Sequence, residues 1–264
     1  MSSRPILWHI AISHYNEKIR WALDYKEVDH ERRAPMPGVH MAVALRLTHG
    51  RCATFPVLEL DGRRIGDSTA IIAALEERYP DPPLYPARPG DRARALELED
   101  WFDRELGPYM RRYAFHELAR HRALFGQIAS SAAPRWLARY RGAAGAYGRV
   151  FTRLRFGAGS DRRAEEARER ILIALDELEM RLGAGDYLVG DRFTVADLTA
   201  ASLFYPMVLP PEGPKGMPES VLAELTEPLA GRRGLRWVRE MFRRHRRRWS
   251  TGLRSDVPAE RLAS

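Results

Sequence analysis

Residues 54–75 read TFPVLELDGRRIGDSTAIIAAL, and the order of signals along them decides the class of fold. Pro56 has no backbone N–H to give to a ladder, so it belongs at the first residue or the edge of a strand, and Val57, Leu58 and Leu60 continue that strand. Asp61-Gly62 then predicts a two-residue hairpin turn, because both central positions of such a turn take positive φ. After the return strand RRIG, Asp67 and Ser68 stand where a helix begins, and STAIIAALEERY carries it on. A hairpin that feeds a helix is part of a mixed α/β layer.

The residues upstream supply the rest of that layer. An apolar run, PILWHIAI (residues 5–12), stops at Ser13, and a helical pattern follows at once: Glu17, Lys18 and Arg20 fall on one side, Ile19, Ala22 and Leu23 on the other. A short strand-like run covers Val28 to Ala34. Strand, helix, strand, hairpin and helix make one unit over residues 1–83. The segment DPPLYPARP (residues 81–89) has too many prolines for either element, and residues 84–91 are assigned as a linker.

Downstream the period is helical. Leu98, Phe102, Leu106 and Tyr113 fit one stripe, and Ala167, Ile171, Leu175, Leu178 and Leu182 fit another, ended by Gly183 and Gly185. In GDRFTVADLTAASLF, Thr194 can cap a helix while Asp197 reaches back to the Thr194 amide, with Phe193 and Leu198 placed as the hydrophobic staple. PMVLPPEGPKGMPE (residues 206–219) reads as a loop, and Leu235 to Trp249 as a last, very basic helix in which Leu235, Val238, Phe242 and Trp249 share a face. Residues 92–250 are therefore an all-α unit and residues 251–264 a polar tail; residues 122–160, rich in Ala, Gly and Arg, have no assignment. Trp101 and Trp237 are expected in the core.

Composition narrows the function. Cys52 is the only cysteine in 264 residues, which excludes an internal disulfide, a thiolate metal cluster and a C-x-x-C redox pair. The net charge of +8 is spread over 43 basic and 35 acidic residues, and Lys occurs only at positions 18, 26 and 215. No stretch approaches the roughly 18 continuous apolar residues of a membrane span, and the start, MSSRPILWHIAISHYNEK, reads as a strand and not as a leader, so a cytoplasmic location is expected.

Three pieces of the first unit combine chemically. Ser13 puts a hydroxyl at a strand-to-helix turn; a cis Phe55-Pro56 bond would turn a backbone edge outward to pair with an extended peptide; Asp67 and Ser68 sit at a helix N-terminus that favours a carboxylate, and Asp67 can hold an ammonium. A ligand with a carboxylate and an ammonium on one carbon, a peptide backbone, and a group presented to Ser13 satisfies all three.

SHYNEKIRWAL, TFPVLELDGRRIGDSTAIIAAL and GDYLVGDRFTVADL, in this order, resemble the glutathione S-transferase family, in a serine-type, bacterial-like form. The resemblance implies a thioredoxin-like N-terminal domain followed by an all-α C-terminal helical bundle. It further implies glutathione as co-substrate without a metal, a partly apolar small-molecule electrophile bound between the halves, a homodimer, and a role in detoxification. Phe55 and Pro56 then match the backbone edge for the cysteinyl unit, Asp67 and Ser68 the γ-glutamyl end, and Ser13 the residue that donates a hydrogen bond to the sulfur, at a helix N-terminus that lowers a thiol pKa. Tyr15 and Asn16 are the rivals for that donor. The Lys that often holds the glycyl carboxylate is replaced by Thr54, so His40 or Arg51 would substitute; His14 stands where many members have Pro. Serine in place of cysteine at position 13 argues against thiol–disulfide chemistry. Tyr15, Tyr109, Tyr113 and His116 are candidates, by analogy, for the second-substrate wall.

A reading from another class keeps the fold as a binding or scaffolding module that offers the basic last helix to an acidic partner. The simpler expectation for that helix is packing on the bundle with the arginines, Arg246 among them, in solvent. No nucleic-acid fold motif accompanies it, and nucleic acid is not expected as a partner.

Overall fold

The turn residues do what their chemistry requires: Asp61 and Gly62 have φ of 47° and 77°, and they join β3 (Val57–Leu60) to β4 (Arg63–Gly66), with Leu60 opposite Arg63. In this computed structural model, which describes residues 4–35, 39–121, 159–215 and 217–246 together with residue 150, β3 pairs antiparallel with β1 (Ile6–Trp8), and β1 pairs parallel with β2 (Glu31–Arg33). The sheet order is β2-β1-β3-β4. Helix α1 (His14–Tyr25) connects the parallel pair, α2 (His40–Leu47) leads to β3, and α3 (Ser68–Arg78) follows the hairpin, which gives the thioredoxin-like layer. The Phe55-Pro56 bond is cis.

The second half is all-α, but its first helix is two. The single stripe predicted through Leu106 breaks there into α4 (Pro89–Glu105) and α5 (Gly107–Arg120), with Leu98, Phe102, Leu106 and Tyr113 all buried. A close approach explains the glycine: a Cβ on Gly107 would lie 2.0 Å from the Tyr15 hydroxyl oxygen. Pro89, expected in the linker, opens α4 in the first turn, where a missing N–H is harmless.

Helix α6 (Asp161–Leu182) buries its predicted stripe and ends at Gly183, φ 48°. Helix α7 (Val195–Val208) begins at the expected Thr194–Asp197 capping box but runs through Pro206, past the predicted loop boundary, and stops at Leu209 with φ 38°. Almost every residue of α7 is buried, because it is the central helix, packed against α1, α4 and the last helix, α9 (Arg233–His245). A short helix, α8 (Ala223–Thr226), lies between α7 and α9. The unassigned residues 122–149 and 151–158, the tail 251–264, and Arg247 to Trp249 of the predicted last helix lie outside the described residues.

The charged side of α1 is not in solvent: Glu17, Lys18 and Arg20 are 1%, 0% and 4% exposed, because the helical half covers it. Lys18 Nζ donates to Glu99 Oε1 at 2.8 Å and Asp103 Oδ2 at 2.7 Å on α4. The predicted solvent-facing arginines of the last helix need a correction. Arg246 is 7% exposed, with Nε donating to Glu17 Oε1 and NH1 to Asp24 Oδ2, both at 2.6 Å. Arg243 and Arg244 remain near the surface but are paired with Glu240, and Arg244 also with Asp186. Trp237 is buried as expected, its indole N–H donating to the Asp186 carbonyl at 2.7 Å.

Candidate active site

Ser13 occupies the N-cap position of α1 in extended conformation, and its carbonyl accepts the Glu17 amide at 2.9 Å. Its side chain, however, makes no capping hydrogen bond, so the expected cap is made by position and backbone alone. The hydroxyl is thus not committed to the helix. The turn that carries it is held firmly. Arg20 donates to the carbonyls of Ile10 at 3.1 Å, Ala11 at 2.9 Å and, more distantly, Ser13 at 3.5 Å, while the Tyr205 hydroxyl donates to the Ile12 carbonyl at 2.6 Å. Asn16 is fully buried and bridges two loops of the site: Oδ1 accepts the Ile10 amide at 3.1 Å and Nδ2 donates to the Phe55 carbonyl at 3.2 Å. Asn16 thereby ties the Ile10–Ser13 turn, in which the Ser13 amide donates to the Ile10 carbonyl at 3.2 Å, to the backbone before Pro56.

Asp67 is the N-cap of α3, with φ 76°, a region that non-glycine residues enter only when the surroundings enforce it. Its Oδ1 accepts the amides of Thr69 at 3.0 Å and Ala70 at 3.1 Å, and Ser68 behind it is buried. His40 opens α2, where burial lowers its pKa, and Arg51 lies in the loop before β3 with Nε donating to the Thr48 carbonyl at 3.0 Å.

The four side chains expected on a second-substrate wall do not share one surface. Tyr15 is wedged between the halves, its hydroxyl donating to the Asp103 carbonyl at 2.7 Å, and burial raises its pKa further from the neutral range. Tyr109 lies between the guanidinium groups of Arg112 and Arg170, at 5.5 and 5.6 Å from its ring centre. Tyr113, whose pKa burial pushes up to about 12, and His116 line a cavity of about 480 Å³ with Glu117, Arg120, Asp161 and Glu224. That cavity is charged and lies within the helical half, not between the two halves.

His14, expected as a surface or domain-contact residue and not as a base, makes a contact between the halves, and His9 beside it was not singled out by the sequence. His14 is buried and its Nε2 donates to the Gly107 carbonyl at 3.0 Å; burial, together with Arg111, lowers its pKa to about 3. His9 is lowered to about 2 by burial and Arg20, so its Nδ1 accepts from Arg20 at 2.9 Å. Both imidazoles are neutral in the fold and protonated in the unfolded chain below 6.5, so their contribution to stability is full above that pH and is lost as pH falls. The urea midpoint should accordingly fall between pH 7 and pH 5, and His14→Gln should flatten that slope; equal slopes for parent and variant would show that His14 does not stay neutral.

A thioredoxin-like layer with a serine-led helix beside a cis-proline edge, fused to an all-α bundle, defines the glutathione-transferase class of fold. Comparison with known proteins agrees: the family models "Glutathione S-transferase, N-terminal domain" and "Glutathione S-transferase, C-terminal domain" match residues 7–83 and 161–236, together more than half of the chain. The chain belongs to the glutathione S-transferase family. It is 26% identical over 206 residues to a probable maleylacetoacetate isomerase of Caenorhabditis elegans, covering 77% of this chain and 79% of that one. It is 27% identical over 138 residues to FtsZ-localized protein A of Caulobacter vibrioides, covering 52% of this chain and 47% of that one. Among solved structures, a glutathione S-transferase of Methylobacterium radiotolerans in complex with glutathione sulfonate has 23% identity and a TM-score of 0.54, covering 89% of this chain and 93% of that one. Among the described residues no group of His, Cys, Asp and Glu is arranged to hold a metal ion, and no helix is long and apolar enough to cross a membrane.

Proposed function

We propose that the chain binds glutathione along the Phe55-Pro56 edge and the Asp67-Ser68 helix terminus, and that Ser13 donates its hydroxyl to the sulfur. The activated thiolate then attacks a partly apolar small-molecule electrophile. The observation that carries this reading is the Ser13 hydroxyl, released from capping on a turn whose carbonyls are held by Arg20 and Tyr205. A hydrogen bond from such a group favours the thiolate over the thiol. The rivals are weaker on geometry: the Tyr15 hydroxyl proton is spent on the Asp103 carbonyl, and Asn16 is held in place at both ends, by the Ile10 amide and the Phe55 carbonyl. Asp67 keeps a second carboxylate oxygen for an ammonium while its first caps α3. The same reading has the protein acting in the cytoplasm as a homodimer.

Ser13→Ala is the direct test. No capping bond is lost, so thermal stability should stay within about 0.5 kcal/mol of the parent. The ultraviolet absorbance of the bound thiolate should titrate at higher pH, and turnover of an activated aryl halide at neutral pH should fall by about tenfold or more. Equal thiolate titration and rate in parent and variant would remove Ser13 from the mechanism.

A second reading is favoured by one comparison, the similarity to FtsZ-localized protein A, a relative of the same fold named for where it localises with another protein. On that reading the chain is a binding module with little turnover and its basic C-terminal helix meets an acidic partner. Retention on immobilised glutathione together with turnover of an electrophile panel supports the enzyme; absence of both supports the module.

A further inference from the structure

The last helix ends on the first one. Arg246 follows α9 directly, and its guanidinium reaches across to Glu17 and Asp24, which lie 229 and 222 residues earlier in the chain. Glu17 is shared: Oε1 accepts from Arg246, and Oε2 accepts from Arg20 Nε at 2.8 Å. The rest of the Arg20 guanidinium is used on the turn, at His9 Nδ1 and at the Ile10, Ala11 and Ser13 carbonyls. Asp24, the other anchor of Arg246, is fixed from its far side by Arg32 at 2.7 and 2.8 Å. The neighbouring backbone is tied in the same place, since the Trp21 indole N–H donates to the His245 carbonyl at 3.0 Å.

The links from Arg246 to Glu17 and Asp24, and from Glu17 to Arg20, are charge-assisted hydrogen bonds between buried groups, where geometry is tightly specified and misalignment is costly. A guanidinium is planar and its donors point in fixed directions, so Arg246 sets where the Glu17 carboxylate sits. Glu17 in turn sets the plane of Arg20. Arg20 has no further donor with which to compensate if its plane turns; the carbonyls of the Ser13 turn must follow it.

We propose that Arg246 is a positioning residue for the thiol site, acting through Glu17 and Arg20 on the turn that carries Ser13. Its role in turnover rests on the assignment of Ser13 made above; its role in holding the turn does not. The C-terminal end of the helical half is, on this inference, a working part of a site otherwise built by the first 68 residues. It also separates Arg246 from its neighbours Arg243 and Arg244, which pair only with surface carboxylates.

The test uses the full chain with glutathione as the thiol and an activated aryl halide as the electrophile. Arg246→Lys keeps the buried positive charge and so the fold, but an ammonium cannot hold both carboxylates in the planes that a guanidinium imposes. It is expected to lower kcat by about tenfold with KM for glutathione little changed, since a small misplacement of the donor affects the reacting atom more than the distant binding contacts. Arg243→Gln should leave both unchanged. Amide exchange should rise in residues 10–16 and stay at the parent level in α3. In the Ser13→Ala background the Arg246→Lys shift in thiolate titration should vanish, because the two residues act on one bond.

If Ser13→Ala alone leaves the titration unmoved, the assignment of Ser13 fails, and the exchange data then judge the positioning role by themselves. Faster exchange in residues 10–16 upholds it. Parent-level exchange there, or a loss of thermal stability with kcat and local exchange intact, overturns it and leaves Arg246 as a structural ion pair. Should Arg246→Lys not fold, Glu17→Gln, which keeps the side chain's shape and one acceptor, is measured in the same way, with the same two outcomes.

Discussion

Lys18→Met should destabilise the protein by about 3–5 kcal/mol, the cost of leaving buried carboxylates without their counter-ion. The Lys18 ammonium lies between Glu99 at 2.8 Å and Asp103 at 2.7 Å, and the Thr69 hydroxyl donates to the same Asp103 oxygen at 3.1 Å. Burial raises the pKa of Glu99, and Lys18 opposes that rise. Methionine fills much of the space but supplies no charge, so the buried Glu99 carboxylate would face the partly buried Asp103 carboxylate with no counter-ion between them. The deficit relative to the parent should shrink as pH falls, because a protonated Glu99 needs no counter-ion and its folded pKa in the variant lies further above its unfolded value. Urea unfolding of parent and variant at pH 7 and pH 5 measures both effects. A loss under about 1 kcal/mol at pH 7 would mean that this cluster is solvated like a surface pair. Adding Glu99→Gln and Asp103→Asn to Lys18→Met should recover much of the loss, since the penalty lies in the unpaired charge and not in the missing bond.

Asp197→Asn is the second large effect, and it preserves volume so that only hydrogen-bonding chemistry changes. Asp197 Oδ1 accepts the Leu188 amide at 2.8 Å, and Oδ2 accepts both the Thr194 amide and the Thr194 hydroxyl at 2.9 Å. Burial pushes its pKa up to about 6, which still leaves it ionised at neutral pH, as three converging donors require. An asparagine has one acceptor oxygen and one donor nitrogen. In one orientation its NH₂ group faces the Leu188 N–H and in the other the Thr194 N–H, so a buried backbone donor loses its acceptor either way. The expected cost is about 2–4 kcal/mol, with refolding yield lowered because α7 is the helix on which both halves pack. Unfolding midpoints that coincide with the parent's would show that the box is dispensable.

These two sites were unequally visible in the sequence. Thr194 and Asp197 are three residues apart, and a capping box depends only on local backbone geometry, so four consecutive residues suffice to specify it. The Asp61-Gly62 turn, the strand opened by Pro56, the end of α6 at Gly183 and the start of α3 at Asp67 were legible for the same reason. Ser13 was placed correctly at a helix start, yet the fate of its hydroxyl was not readable, because capping and ligand contact ask for the same residue type.

The turns, the apolar stripes and most of the order of elements were thus determined by the sequence alone, since each depends on a few neighbours and on periodicity; α2 (His40–Leu47) and the break between α4 and α5 were not. What only the tertiary structure decided is which polar faces meet water. A helical period separates apolar from charged positions, but it cannot distinguish a charged face in solvent from one matched by opposite charges on another element. Glu17, Lys18 and Arg20 form the charged side of α1 and are buried because α4 brings Glu99 and Asp103 to Lys18, and Arg246 joins Arg20 on Glu17. Pro206 looked like a helix breaker and lies inside α7 because packing around a central helix outweighs local preference. Tyr15, Tyr109, Tyr113 and His116 looked like one wall, but Tyr15 is wedged against α4 at the Asp103 carbonyl and Gly107, while Tyr113 and His116 line a charged cavity within the helical half. Complementarity between residues far apart in the chain has no local signal, and it is this complementarity that shapes the surroundings of Ser13.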